Sequence, residues 1–419
     1  MEVTHINHRD GENGGGRAVY RLHRGLCRRG VTSKIFVQRR DRGDENVHVF
    51  SPPQNAWVRL RRSLRRKRIE YAFGRYQDKR PERAEPFCED RTQYKGQVFP
   101  QSPPADIVNL HSVYGFLDLG SFFRNVSVPV VWTLHDMNAF TGGCQYNINC
   151  TRYRRSCGRC PQLGSDTETD LSRDVWSRKR RAYRHVIEDD RLQVVCPSQW
   201  MADEAQGSSL FADVPVDVIP NGLDAEIFCP RDTTGLSSAL GILPDHFVIL
   251  FLAASVKRTR KGFDLFSDAV ASLNESNVSL VSVGRGDPGL PEHLHHVHLG
   301  SIENDRLLSL VYSLADLFVI SSRQDNLPST VLESMACGTP VVGFDVGGIP
   351  DMVRPRSTGW LAEKGDTRKL RDAIDTALTD DSKRQQMGKR CREVVENEYT
   401  LEVQGRAYRN LYEDLLRSS

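Results

Sequence analysis

Two carboxylates, Asp325 and Glu333, stand on either side of a loop-to-helix junction within the run 321–342. A strand at 317–320 passes into a polar loop holding Asp325, Asn326 and Leu327, and a helix starts near Pro328. Backbone N–H groups at such a start suit phosphate or polarised sugar oxygens. Asp325 precedes the helix and Glu333 lies on it, so both acids can face one cleft. Carboxylates there accept hydrogen bonds from the hydroxyls of a sugar or ribose. Arg260-Lys261-Gly262 follows a second strand, 248–253. Two cations at a strand end can neutralise a diphosphate, whose leaving-group charge grows as a glycosidic bond breaks.

Three further constellations carry chemistry. Gly14-Gly15-Gly16 lies in a glycine-rich turn at 11–16, after the first strand, where backbone can approach a phosphate or an acceptor closely. His135, in Thr133-Leu134-His135-Asp136, ends a strand, and polar residues at that end of a parallel strand face the functional crevice. A structural histidine bonded to Asp136 is the alternative, and His111 sits at an analogous strand end. Cys144, Cys150, Cys157 and Cys160 fall within 144–160. The Cys157-x-x-Cys160 spacing suggests a closed structural zinc site, with disulfides or free thiols as alternatives.

The elements that must position these residues alternate strand and helix. Strands are predicted at 3–7, 34–37, 106–110, 129–134 and 192–196, with a helix at 18–27. After the turn-rich stretch 219–224 the alternation restarts, with strands at 248–253, 278–283, 317–320 and 341–342. Helices are predicted at 264–273, 304–314, 329–337 and 401–416. Such a pattern predicts α/β architecture with two doubly wound parallel sheets. The domains expected are 1–215 and 216–399, with a helix over 400–419 packing back onto the first.

A chain of 419 residues and net charge +3 fits two globular domains. No run approaches the roughly 20 apolar residues of a membrane span, and the first residues read as a strand, not a signal peptide. These features predict a cytoplasmic protein. Cys27, Cys88, Cys196, Cys229, Cys337 and Cys391 are scattered and read as buried thiols. Within 57–79, Arg59, Arg61, Arg62, Arg65, Arg66, Lys67 and Arg68 are interleaved with Trp57, Val58, Leu60, Leu64 and Ile69. The pattern fits either a solvated helix face or a surface that docks on anionic lipid at the inner face of the plasma membrane. No nucleic-acid motif accompanies it.

The run 325–342 resembles glycosyltransferase family 4, which carries two acids separated by seven residues and then Ala-Met-Ala-x-Gly-x-Pro-Val-Val. Here Asp325 replaces the usual Glu, Ser334 the usual Ala, and Pro328 a frequent Gly. Asp325-Asn326-Leu327-Pro328 is similar to a branch associated with bacterial exopolysaccharide synthesis, which also shares the cysteine insertion between His135 and Asp170. The resemblance implies a GT-B fold of two Rossmann-like domains facing a cleft and a retaining transfer by front-face displacement without a catalytic metal. It implies a nucleotide diphosphate sugar donor and a glycan or lipid-linked acceptor, with hexosyl transfer as the expectation.

By the same resemblance, Asp325 holds donor-sugar hydroxyls, Glu333 the ribose, and Lys261 the diphosphate. The family's partner arginine falls at Val256, so Arg260 takes its place, with Lys257 and Arg258 as alternatives. Gly14, Gly15 and Gly16 match the family's glycine loop, and His135 its sugar-contacting histidine. Residues 221–224 match its interdomain hinge. The rival readings are a membrane-associated GT-B-fold protein without transferase activity, a nucleotide-sugar epimerase and a glycan phosphorylase.

Overall fold

The computed structural model describes residues 1–11, 14–256, 258–271, 273, 277–286, 289–290 and 293–418. The chain divides into two units, Met1–Pro220 with Gln404–Ser419, and Asn221–Val403. Each unit is built on one sheet in which every strand pair is parallel.

The first sheet comprises β1 (Glu2–Arg9), β2 (Thr32–Arg39), β3 (Val47–Val49), β4 (Ile107–Leu110), β5 (Val130–Thr133), β6 (Leu192–Cys196) and β7 (Val216–Val218). Its order is β3-β2-β1-β4-β5-β6-β7. The second comprises β8 (Phe247–Ser255), β9 (Val278–Arg285), β10 (His295–His298), β11 (Leu317–Ile320), β12 (Val341–Phe344) and β13 (Gly359–Ala362), in the order β10-β9-β8-β11-β12-β13. Both orders reverse direction once, between β1 and β4 and between β8 and β11. A crevice opens beyond the carboxyl ends of strands at such a switch point, and ligands bind there.

The central strands are buried on both faces, which is why they read as continuous apolar runs: Ile107–Leu110, Val130–Thr133 and Leu317–Ile320 are buried throughout. Each fully buried Val, Leu or Ile contributes roughly 1.5–3 kcal/mol. Four strands were not anticipated, β3, β7, β10 and β13. Three of them, Val-His-Val, Val-Asp-Val and His-His-Val-His, are short edge strands whose polar residues break the apolar run. Because β7 pairs with β6, the first sheet continues past the expected boundary at 215/216.

Residues 404–418 belong to the first unit. The hydroxyls of Tyr408 and Tyr412, both fully buried, meet Thr133 Oγ1 at 2.9 Å and accept from Asn109 Nδ2 at 2.7 Å. The helix Leu401–Ser418 is thereby tied to β4 and β5 beneath the strand ends that carry His111 and His135.

Candidate functional site

In the second unit, the loops leaving β8 and β11 are tied together. Gly262, which closes the 3-10 turn Thr259–Lys261, has φ +66, and a Cβ there would lie 1.9 Å from the Ser321 carbonyl oxygen. Only glycine fits so close an approach in that conformation. Ser321 Oγ donates to Gly262 O at 2.7 Å, and the Arg323 N–H donates to Arg260 O at 2.8 Å. Arg323 also forks onto Asp264 at 2.7 and 2.6 Å.

This stitching brings Arg260, Lys261 and Asp325 into one ion cluster. Lys261 Nζ lies 2.6 Å from Asp325 Oδ2, and Arg260 Nη1 lies 3.1 Å from Oδ1. Arg260 Nη1 also donates to Gln324 O at 2.7 Å, and Ser322 Oγ to Asp325 Oδ2 at 3.1 Å. Burial favours the neutral acid, but the Lys261 and Arg260 charges outweigh it and hold Asp325 far below the usual carboxylate range. Burial likewise lowers Lys261, and the Asp325 charge opposes that. Two cations share one carboxylate, so the cluster keeps an excess positive charge beside a helix start.

That helix, Ser329–Ala336, begins after Pro328, which contributes no side-chain cap. Its Glu333 is buried and accepts from the Tyr312 hydroxyl at 3.1 Å. Asn326 and Leu327 are buried in the intervening loop. The loop after β12 completes the cradle: Gly348 N–H donates to Asp325 O at 3.1 Å. Gly347, at φ +58, passes so close that a Cβ would meet Asp325 O at 1.8 Å. Sequence reasoning missed Tyr312, Ser322 and this glycine pair. A Gly-Gly two residues beyond a buried strand was the signal for the last.

In the first unit, three imidazoles form a chain. His5 Nδ1 lies 3.0 Å from His111 Nε2, and His111 Nδ1 lies 3.0 Å from His135 Nε2. Burial lowers all three, His5 to about 3 and His135 to about 4, with His111 well below the ordinary histidine range. Neutral imidazoles result. His111 and His135 line one pocket with Tyr114, Asp136 and Asn138. The carboxylate of Asp136 accepts from the Asn138 N–H at 2.8 Å, so it caps the following turn.

Two expectations need correction. The glycines do not form a loop: Gly14, Gly15 and Gly16 are the first turn of the helix Gly14–Cys27, while residues 12 and 13 lie outside the described residues. Lys257, an alternative cation, also lies outside them; Arg260 is the arginine that joins Lys261 on Asp325.

The expected zinc site is not formed either. Cys144, Cys150, Cys157 and Cys160 line one small pocket as free thiols. Among the described residues, no group of three or more His, Cys, Asp or Glu is placed to hold a metal ion. Two of the four sulfurs are engaged by backbone N–H groups. Cys157 Sγ accepts the Gly142 N–H at 3.2 Å, and Cys160 accepts from Leu163 and Gln162. Burial pushes the Cys157 thiol up to about 12 and raises Cys144 and Cys160.

The basic segment forms the helix Ala56–Gly74, which buries none of its residues fully. Its partly buried positions, Val58, Arg62, Ser63, Arg65, Ile69, Ala72 and Phe73, face the rest of the first unit. Phe73 stacks on Phe87, and Arg65 donates to Asp118 Oδ2 and Thr92 O, each at 2.6 Å. Trp57, Leu60, Leu64 and Tyr71 are 73, 49, 58 and 73 % exposed. Spacings of three, four and seven place these four on one outward stripe. Arg61, Lys67 and Arg68 flank it, all exposed. No helix among the described residues is long and apolar enough to cross a membrane.

Comparison with known proteins gives this geometry a family. Residues 236–394 match the family "Glycosyl transferases group 1", and residues 12–227 match "Glycosyltransferase Family 4". N-acetyl-alpha-D-glucosaminyl L-malate synthase of Bacillus anthracis is 31 % identical over 210 residues, covering 48 % of this chain and 54 % of that protein. The putative colanic acid biosynthesis glycosyl transferase WcaC of Escherichia coli (strain K12) is 26 % identical over 244 residues, 56 % of each chain. The chain thus spans about half the length of these curated relatives. The crystal structure of Anabaena HepE in complex with UDP-glucose superposes with a TM-score of 0.62 at 15 % identity, covering 100 % of both chains, a likeness of fold. Two parallel α/β sheets of this kind are the GT-B architecture. Since one of the matched families spans more than half of its residues, the chain belongs to glycosyltransferase family 4.

Proposed function

We propose that this protein transfers a sugar from a nucleotide diphosphate sugar to a glycan or lipid-linked acceptor, with retention of configuration. The carrying observation is the cluster at the switch point of the second sheet, where Arg260 and Lys261 share Asp325 beside the start of the Glu333 helix. An incoming diphosphate competes with Asp325 for the two cations. Once they turn to the phosphates, the carboxylate is available to sugar hydroxyls. Charge that develops on the departing diphosphate is then stabilised by Lys261 and Arg260. Under front-face displacement the diphosphate takes the acceptor proton, so no protein nucleophile is required. Glu333, oriented by Tyr312, receives the ribose hydroxyls. His135 presents a neutral imidazole to a substrate oxygen at the strand ends of the first unit. The first unit is the acceptor side, with Gly14, Gly15 and Gly16 at the start of its first helix.

Exopolysaccharide assembly is the pathway this reading favours. It is supported by the Asp325-Asn326-Leu327-Pro328 wording and by similarity to a protein described as a colanic acid glycosyl transferase. The exposed stripe of Trp57, Leu60, Leu64 and Tyr71, with Arg61, Lys67 and Arg68 beside it, supports attachment to an anionic membrane that carries a lipid-linked acceptor. Each basic residue near such a surface contributes about 1 kcal/mol.

Calorimetric titration of UDP and GDP tests the donor site. One of them binds the wild-type protein, and both Lys261→Ala and Glu333→Ala weaken it tenfold or more. Equal affinity in all three proteins contradicts the assignment.

A further inference from the structure

The three-imidazole chain has only two arrangements of protons. Its members come from three neighbouring strands: His5 lies within β1, and His111 and His135 follow β4 and β5. The ring pairs are held 5.2 and 5.3 Å apart, centre to centre. His111 is fixed through its backbone as well, since its N–H donates to Ile6 O at 3.0 Å and its carbonyl accepts from Trp132 Nε1 at 3.1 Å.

A neutral imidazole carries one N–H and one acceptor nitrogen. If His111 donates through Nδ1 it must accept through Nε2, so both bonds run in the same direction. In the inward arrangement His135 donates to His111, His111 donates to His5, and the remaining proton sits on His5 Nε2. That atom is buried and has no hydrogen-bond partner among the described residues. Orphaned buried N–H groups are rare in folded proteins because each forfeits its solvation without replacement. In the outward arrangement His5 Nε2 is a bare nitrogen, and no N–H is stranded. His5 Nδ1–H then donates to His111, and His111 Nδ1–H donates to His135 Nε2.

We infer that His5 and His111 are positioning residues that lock His135 as its Nδ1–H tautomer, making it a hydrogen-bond donor to an oxygen of the bound substrate. The ligand class is therefore an acceptor atom, a sugar hydroxyl oxygen or a phosphate oxygen. In this state His135 does not serve as a base: its only acceptor nitrogen is occupied by His111. That agrees with a transfer in which the leaving diphosphate takes the acceptor proton. The use of His135 in catalysis rests on the function proposed above, whereas the tautomer does not.

Long-range proton–nitrogen NMR on protein labelled with 15N-histidine reads the tautomer directly, without substrate. With His135→Gln used for assignment, the His135 signal should show a protonated Nδ1 and an unprotonated Nε2 at pH 7. His111→Leu should leave His135 a mixture of tautomers and lower kcat about tenfold with little change in donor KM. His111→Gln should restore most of both, because its amide can accept from His5 and donate to His135. An Nε2–H tautomer in the wild-type protein overturns the inference, and that spectrum decides even if the His111 variants fold poorly. An unaltered His135 tautomer in a folded His111→Leu protein overturns it as well. The correct tautomer in a protein that releases no nucleotide from any sugar donor leaves the relay standing and removes the proposed function instead.

Discussion

At the scale of single residues, the consequential pairing is that of Asp325 with both candidate phosphate ligands. Removing one partner of a buried ion cluster leaves an uncompensated charge, so each single change should be expensive. Asp325→Ala should destabilise the second unit by about 3 kcal/mol in urea unfolding and should also lower turnover; unchanged stability would deny the cluster its structural role. The buried imidazoles make a pH prediction. Their folded values, about 3 for His5 and about 4 for His135, lie below the 6.5 of the unfolded chain. Between these values the unfolded state binds more protons, so stability rises with pH, is fully present above 6.5, and is lost as pH falls below it. The loss from the plateau above pH 7.5 down to pH 5 is about 2 kcal/mol for each of the two. Urea midpoints measured from pH 5 to 7.5 should show this slope, and His135→Gln should flatten it.

At this scale the sequence reported residue types better than their partners. Asp325, Lys261 and His135 were visible because strand ends followed by polar residues mark a parallel-sheet crevice. That Asp325 would be bonded to Lys261, and His135 to His111, depends on the approach of two loops or two strands far apart in the chain. Composition and spacing carry no such information.

At the scale of elements, the basic helix Ala56–Gly74 now has two distinct faces. Arg65 belongs to the inward one, bonded to Asp118 and Thr92. Arg65→Ala should therefore lower stability more than membrane attachment. Replacing Arg61, Lys67 and Arg68 with Gln, or Leu60 and Leu64 with Glu, should weaken co-sedimentation with vesicles of anionic phospholipid at least tenfold while leaving neutral vesicles unbound. Equal sedimentation of variant and wild type would return the helix to a merely solvated face. A second element-scale prediction concerns the turn that joins β8 to β11. Gly262→Ala forces a Cβ against the Ser321 carbonyl, and backbone strain of this type amounts to about 1–3 kcal/mol. Its melting temperature should fall, and donor affinity with it. The long central strands and amphipathic helices were legible because burial on two faces writes an uninterrupted apolar run. The polar edge strands β3, β7 and β10 were not, since their pairing comes from the neighbouring strand and not from their own side chains. The cysteine cluster brings its four thiols to one small pocket, but Cys-x-x-Cys spacing does not by itself place three ligands around a metal ion.

At the scale of the whole molecule, two sheets that share one order over six strands each carry their chemistry at strand ends beside the switch point. The first carries the imidazole chain at the ends of β4 and β5, and the second carries the ion cluster beyond β8 and β11. The helix Leu401–Ser418 ties the end of the chain to the first sheet through Tyr408 and Tyr412. Replacing both tyrosines with Phe should lower stability by about 2 kcal/mol in total, on the basis of one hydrogen bond each. The most direct measurement is nucleotide release and sugar transfer across a panel of UDP- and GDP-sugars, comparing the wild-type protein with Lys261→Ala and Glu333→Ala. The predicted result is release from at least one donor, lowered at least a hundredfold in both variants while their circular dichroism is unchanged. Release from no donor, or release that persists undiminished in both variants, would contradict the account.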